Sequence, residues 1–276
     1  ECTTLQKEMR RAARFFGKCE QAARRKMCVG VFGPSQSGKS YLISALARDS
    51  RGDLLADFCG RTSDFITEIN PEGGKESTGL VTRFTTTPPQ GLTPDFPIRL
   101  RLLSEMDVVR VLANTYYADC EHKQMPDADA MRSALERLTQ TARQSSPGAS
   151  SVTADDVEDL REYLNRNFLS KPRVQMLQQG YWAQAVSLAP LLPLSYRAEL
   201  FGIIWNNQPK FQQLFLELCQ ALEALGNPAE ADCPLEALLP RQTSIIDVAL
   251  LAGLGTNSAE DRLTLLGKDG RKAALP

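Results

Sequence analysis

Apolar and polar positions alternate along this chain with two different periods, and the change from one to the other sets the expected architecture. From Thr3 to Lys26, the residues Leu5, Met9, Ala12, Ala13, Phe16, Cys19 and Ala23 recur at three- and four-residue steps. That spacing predicts an amphipathic helix with an apolar stripe and an Arg/Lys-rich opposite face. Such a face reads first as the solvated side of a packing helix, with contact to anionic lipid as the alternative. Met27–Phe32 is then a continuous apolar run with β-branched character, which predicts a buried strand. Gly33–Lys39 is rich in Gly, Ser and Pro, and a helical pattern resumes over Tyr41–Ala47.

Residues 50–78 are irregular, with one possible strand within Phe65–Ile69. Val81–Thr87 and Ile98–Leu103 read as strands on either side of a turn region containing Pro88, Pro89 and Gly91. At Ser104 the period changes. Ser104 with Asp107 forms a capping signal, and helical patterns follow over Ala128–Arg143, Ala154–Phe168, Val174–Gln179, Ser195–Trp205 and Pro209–Leu225. Pro209 suits the first turn of the last of these. Strand character returns at Thr243–Leu250, and a hairpin is expected from Leu263–Leu266 and Arg271–Leu275 around Lys268-Asp269-Gly270.

The expected fold class is therefore α/β: a P-loop NTPase, GTPase-like sheet flanked by helices, with an all-helical insertion. The expected boundaries are an N-terminal helix at 1–26, the first part of the sheet domain at 27–103, the helical insertion at 104–240, and the second, truncated part at 241–276. The strands before Ser104 and after Arg241 are expected in one sheet.

Composition narrows this picture only a little. The chain has 276 residues and a net charge of −1, with 42% hydrophobic and 24% charged residues, so it suits one or two globular domains and gives no reason to expect nucleic acid. No stretch approaches the ~20 apolar residues of a membrane helix, and the sequence gives no support for membrane contact. Seven scattered cysteines and a single histidine, His122, point to reduced thiols in a cytoplasmic protein rather than to disulfides or a zinc site. The chain opens on Glu1 rather than Met and is expected to be part of something longer.

The candidate chemistry sits in Gly33-Pro34-Ser35-Gln36-Ser37-Gly38-Lys39-Ser40, followed by Tyr41. Two Gly, one Lys and one Ser or Thr at this spacing arise by chance in roughly one chain in a hundred of this length. Glycines let successive amide N–H groups point at phosphate oxygens, and the following helix offers its positive end to the same anion. Lys39 would reach the β- and γ-phosphates and Ser40 would ligate Mg²⁺. Thr78-Gly79-Leu80-Val81-Thr82-Arg83 resembles the first switch of the dynamin-like GTPases. That resemblance implies a metal- and γ-phosphate-contacting role for Thr82. Arg83 is a candidate phosphate contact or a structural ion-pair partner. Ser244-Ile245-Ile246-Asp247 is an apolar strand ending in a carboxylate, which makes Asp247 the candidate behind the metal.

Two positions depart from the GTPase pattern. Leu250 stands where a glycine is expected three residues after the carboxylate, and Gln36 stands where dynamin-like enzymes carry Ser. Gln36 remains a candidate for orienting water. No Asn/Thr-Lys-x-Asp motif for reading guanine occurs, so GTP is expected with ATP as the alternative.

The run Val29–Ser40, Ile69-Asn70-Pro71, Glu76–Phe84 and Ser244–Val248 together resemble the SrfC-like bacterial virulence-factor family. That resemblance implies a large bacterial protein with a GTPase-like N-terminal part, cytoplasmic or exported as an effector. The helical insertion would offer a surface for a protein partner. Elsewhere the simpler readings prevail. His122 is expected at the surface, Trp182 and Trp205 in the core, and Asp155, Asp156, Glu158 and Asp159 as compensation for a helix dipole.

Overall fold

The computed structural model describes residues 2–33, 37–69, 81–120, 127–144, 150–239 and 262–275. The chain divides into two compact units, Glu1–Ile43 and Ser44–Pro276. The first contains helix α1 (Cys2–Ala23), an extended segment and the start of helix α2 (Lys39–Ala47).

The second unit opens with a hairpin, β1 (Leu55–Phe58) paired antiparallel with β2 (Arg61–Asp64). Its two-residue turn needs left-handed backbone at both positions, and Cys59 (φ 55°) with Gly60 (φ 94°) supplies it. A π-helical turn follows at Phe65–Ile69, where the sequence suggested a strand. The reason is local. The Asp64 carboxylate accepts from the backbone N–H groups of Ile66 (3.0 Å) and Thr67 (2.8 Å) and from the Thr67 hydroxyl (2.9 Å). These bonds satisfy the donors of an opening helical turn and outcompete extended backbone.

Strand β3 (Ile98–Arg101) leads into helices α3 (Glu105–Asp119), α4 (Ala128–Gln144), α5 (Ala154–Phe168), α6 (Pro172–Leu177), α7 (Tyr181–Leu188), α8 (Leu194–Gly202) and α9 (Pro209–Ala224). Strands β4 (Glu230–Cys233), β5 (Leu263–Gly267) and β6 (Lys272–Leu275) follow. The sheet runs β3-β4-β5-β6, every pair antiparallel. Strands from before Ser104 and after Arg241 thus share a sheet. The strand joining them is β4, which lies inside the stretch that looked wholly helical.

Capping explains where the helices begin. Ser104 accepts from the Asp107 amide at 3.2 Å while the Asp107 carboxylate accepts from the Ser104 amide at 3.1 Å. Thr153 and Asp156 repeat this reciprocal box at the start of α5. Pro209 occupies the first turn of α9, where its missing N–H costs nothing. At the other end of α9, Gly226 (φ 80°) lets the Asn227 amide donate back to the Leu222 carbonyl at 2.7 Å.

The helices share one buried core that includes Leu112, Tyr117, Leu138, Leu164, Tyr181, Phe201, Trp205 and Phe215. Trp182 and Trp205 are both within it, as the sequence implied. A smaller core of Leu225, Ala231, Cys233 and Leu265 lies on the sheet, and Leu102 packs against both cores. Two ion pairs tie distant segments together. Arg99 and Asp232 face each other in register across β3 and β4, with guanidinium–carboxylate contacts of 2.7 and 3.0 Å. Arg197 and Glu105, each side chain only 3% exposed, meet at 2.6 and 2.7 Å.

Other departures from the sequence reading have physical causes. Met27–Phe32 is not a buried strand. Among the described residues no strand pairs with it, and Met27, Val29 and Phe32 are over nine-tenths exposed. Val81–Thr87 is likewise unpaired. The Thr85 hydroxyl accepts from the Thr87 amide at 3.1 Å, a side-chain turn that competes with a ladder. Strand β4 is only four residues long, too short for an alternation to stand out. No parallel strand pair occurs among the described residues, so the nucleotide-binding sheet expected of 27–103 and 241–276 rests on the sequence alone. Thr243–Leu250 lies outside the described residues.

Candidate functional site

The glycine loop is built by the first unit. The chain runs extended to Gly33 and re-emerges at Ser37. Gly38 then adopts φ 79°, a left-handed conformation that side-chain-bearing residues disfavour. Its carbonyl accepts from the Leu42 amide at 2.9 Å, so the helical ladder starts there and α2 begins at Lys39. Gly33 packs closely on the loop: a Cβ there would lie 2.8 Å from the Ser37 hydroxyl oxygen, which the Ser37 side chain would have to turn away to relieve.

Lys39 folds back across the loop, and its Nζ donates to the Gly33 carbonyl at 2.9 Å. The first and last glycine positions of the motif are therefore spanned by the motif's own lysine. Ser40 sits in the first turn of α2, half-buried, while Tyr41 projects with 72% of its surface exposed. No acidic side chain lies in the first turn of α2. The positive end of the helix is thus left uncompensated from within, which favours an external anion.

Pro34, Ser35, Gln36, Asp247 and His122 lie outside the described residues. Thr82 belongs to the second unit, where Val81, Thr82 and Arg83 are exposed. Phe84 anchors this stretch by an edge-on contact with Phe65, ring centroids 4.8 Å apart. Among the described residues no group of three or more His, Cys, Asp or Glu side chains is placed to hold a metal.

After α2 the chain makes a tight polar turn. The Asp49 carboxylate accepts from the backbone amides of Asp53 and Arg51, which hold its carboxyl below the usual aspartate range. These bonds organise the turn.

The sequence reading missed one concave feature. A groove of about 370 Å³ lies between the β1–β2 turn, the 94–97 loop and the 3₁₀ turn Leu235–Ala237. Phe58 and Leu235 line it together with Arg61, Asp95 and Glu236. The Cys59-Gly60 dipeptide was the available signal for its hairpin. Its mixed charges single out no ligand chemistry.

These features define a class first: a predominantly helical protein with small antiparallel sheets, carrying a lysine-closed glycine loop at a helix start. The chain belongs to the family described as "Putative bacterial virulence factor", which matches residues 1–276. No curated protein and no solved structure matches it.

Proposed function

We propose that residues 33–40 bind the phosphates of a nucleoside triphosphate, with GTP the expected nucleotide and ATP the alternative, as part of a bacterial virulence factor. The observation that carries this reading is the loop itself. A glycine in left-handed conformation feeds a helix whose first residue is the lysine, and that lysine bridges back to the opening glycine at 2.9 Å. In this reading the amides that follow Gly33, together with the start of α2, would cradle a phosphate group.

In this reading Lys39 exchanges its carbonyl partner for phosphate oxygens. Ser40, half-buried in the same helical turn, presents a hydroxyl suited to a hard divalent cation. The sequence pattern alone names Thr82 and Asp247 as the further residues that would hold Mg²⁺. The bound ion would neutralise the phosphate oxygens. Hydrolysis would then be attack of water on the γ-phosphorus with cleavage of its bond to the bridging oxygen, giving the diphosphate and inorganic phosphate. The protein's share is positioning and charge stabilisation, from Lys39 and the loop amides, with Gln36 orienting the water.

A second reading, binding with little or no turnover, is favoured by Leu250 and Gln36. A glycine amide that senses the γ-phosphate is replaced by leucine, and a serine of the hydrolytic centre is replaced by glutamine. The nucleotide would then gate a protein partner held by the helical body α3–α9.

Calorimetric titration with a non-hydrolysable GTP analogue, with and without Mg²⁺, tests the common claim. Lys39→Ala removes charge-assisted bonds of about 1.5–3 kcal/mol and should weaken binding by roughly 10- to 150-fold. Undetectable binding to the parent chain, or equal binding by the variant, refutes it. Single-turnover phosphate release then separates the two readings, and ATP competition fixes the base.

A further inference from the structure

Helix α1 and helix α4 are both strongly amphipathic, yet only α4 buries its apolar face within its own unit. In α4, Met131, Leu135 and Leu138 are buried in the main core, and its charges mix Asp129 and Glu136 with Arg132, Arg137 and Arg143. In α1, Leu5, Met9, Phe15 and Phe16 are 58–67% exposed. Over residues 8–26 the cations Arg10, Arg11, Arg14, Lys18, Arg24, Arg25 and Lys26 outnumber the acids Glu8 and Glu20.

At roughly 100° per residue, Leu5, Met9, Ala12, Phe16, Cys19 and Ala23 fall on one side of the helix. Arg10, Arg14 and Lys18 fall opposite with Arg11 beside them, and Glu8 and Glu20 flank the apolar side. We propose that α1 lies in the surface of an anionic lipid bilayer, with Met9 and Phe16 in the acyl boundary and the arginines at headgroup phosphates. One apolar face carrying Phe and Leu, an opposite face rich in Arg and Lys, and too few apolar residues overall to leave water altogether are the marks of an interfacial helix. No helix among the described residues is long and apolar enough to cross a membrane, so α1 would rest on the bilayer.

The charge pattern argues against pairing with a second copy. Two such helices joined by their apolar faces would turn both basic faces outward, where no opposite charge answers them. An anionic surface answers the surplus of cations over Glu8 and Glu20, at about a Debye length or less. This inference is independent of nucleotide binding.

The test is co-sedimentation of the 276-residue chain with vesicles of phosphatidylcholine alone, and with about 30 mol% phosphatidylserine, at about 0.05 M and 0.5 M salt. Binding to the anionic vesicles is expected to be at least about ten-fold stronger than to neutral ones and to fall with salt. Arg10→Gln with Arg11→Gln should weaken it by about ten- to thirty-fold. Phe16→Glu should weaken it by about ten-fold or more while leaving the tryptophan-monitored unfolding of the helical core unchanged. No preference for anionic vesicles, or full binding by the arginine variant, overturns the proposal. So does a solution dimer that Phe16→Glu dissolves while vesicle binding is absent.

Discussion

The buried pair Glu105–Arg197 offers the sharpest test of how the helical body is held. Arg197 donates to Glu105 at 2.6 and 2.7 Å, to the Leu192 carbonyl at 2.7 Å and to Glu223 at 3.2 Å. Glu105 also accepts from the Ser151 hydroxyl at 2.9 Å. Five segments therefore converge on this one ion pair. Arg197→Met keeps much of the side-chain volume but leaves a carboxylate 3% exposed with a single hydroxyl donor. Breaking one half of such a pair costs about 3–5 kcal/mol, because the surviving charge is stranded. For a domain of this size that is a fall in Tm of about 6–20 °C. Urea unfolding followed by tryptophan fluorescence reads it directly, since Trp182 and Trp205 are both in the same core. The double variant Glu105→Leu with Arg197→Met removes both charges, and its loss should fall short of the summed single losses by at least about 1 kcal/mol. A loss under about 1 kcal/mol for Arg197→Met, or additive losses, would refute the argument that the ion pair is fully desolvated.

Thiol chemistry should separate surface from core. A brief iodoacetamide pulse on the native protein should modify Cys19, Cys28 and Cys59, which are exposed, and spare Cys219, whose burial pushes its thiol well up; mass spectrometry of the peptides checks this. The π-helical turn at Phe65–Ile69 should depend on acid. The Thr67 amide and its hydroxyl help hold the Asp64 carboxyl below the usual aspartate value of 3.8, so the turn is supported above that value and lost as pH falls below it through the folded pKa. Amide chemical shifts of Ile66 and Thr67 report it, and an unchanged titration in Asp64→Ala would sink the assignment.

Much of the second unit could be read from the chain because its signals are local. Ser104/Asp107 and Pro209 announce their helices with side chains that satisfy, or do not need, the first backbone donors. Ala154–Phe168 emerges with the boundaries the periodicity gave. The hairpin at Lys268-Asp269-Gly270 is likewise written in its turn residues. Strand β4 was hidden because its pairing with β3 and β5 is non-local, and Arg99–Asp232 is a contact across 133 positions that no window can contain. The site was legible as a spacing of residue types. What the sequence could not supply was the left-handed Gly38 and the reach of Lys39 back to Gly33, which are properties of backbone conformation.

The apolar runs that misled are the instructive ones. Periodicity states that a face needs covering; it does not state what covers it. Met131, Leu135 and Leu138 on α4 meet that need inside one compact unit. Leu5, Met9 and Phe16 on α1 do not, and neither do Met27, Val29 and Phe32. Burial of a helix face removes apolar area from water at about 25 cal/mol per Å² whichever surface does the covering. The choice among possible covers is therefore made by the charges around the face. On α4 they are mixed and suit a protein surface; on α1 cations outnumber Glu8 and Glu20, which is why a surface of phosphates is the cover proposed for it.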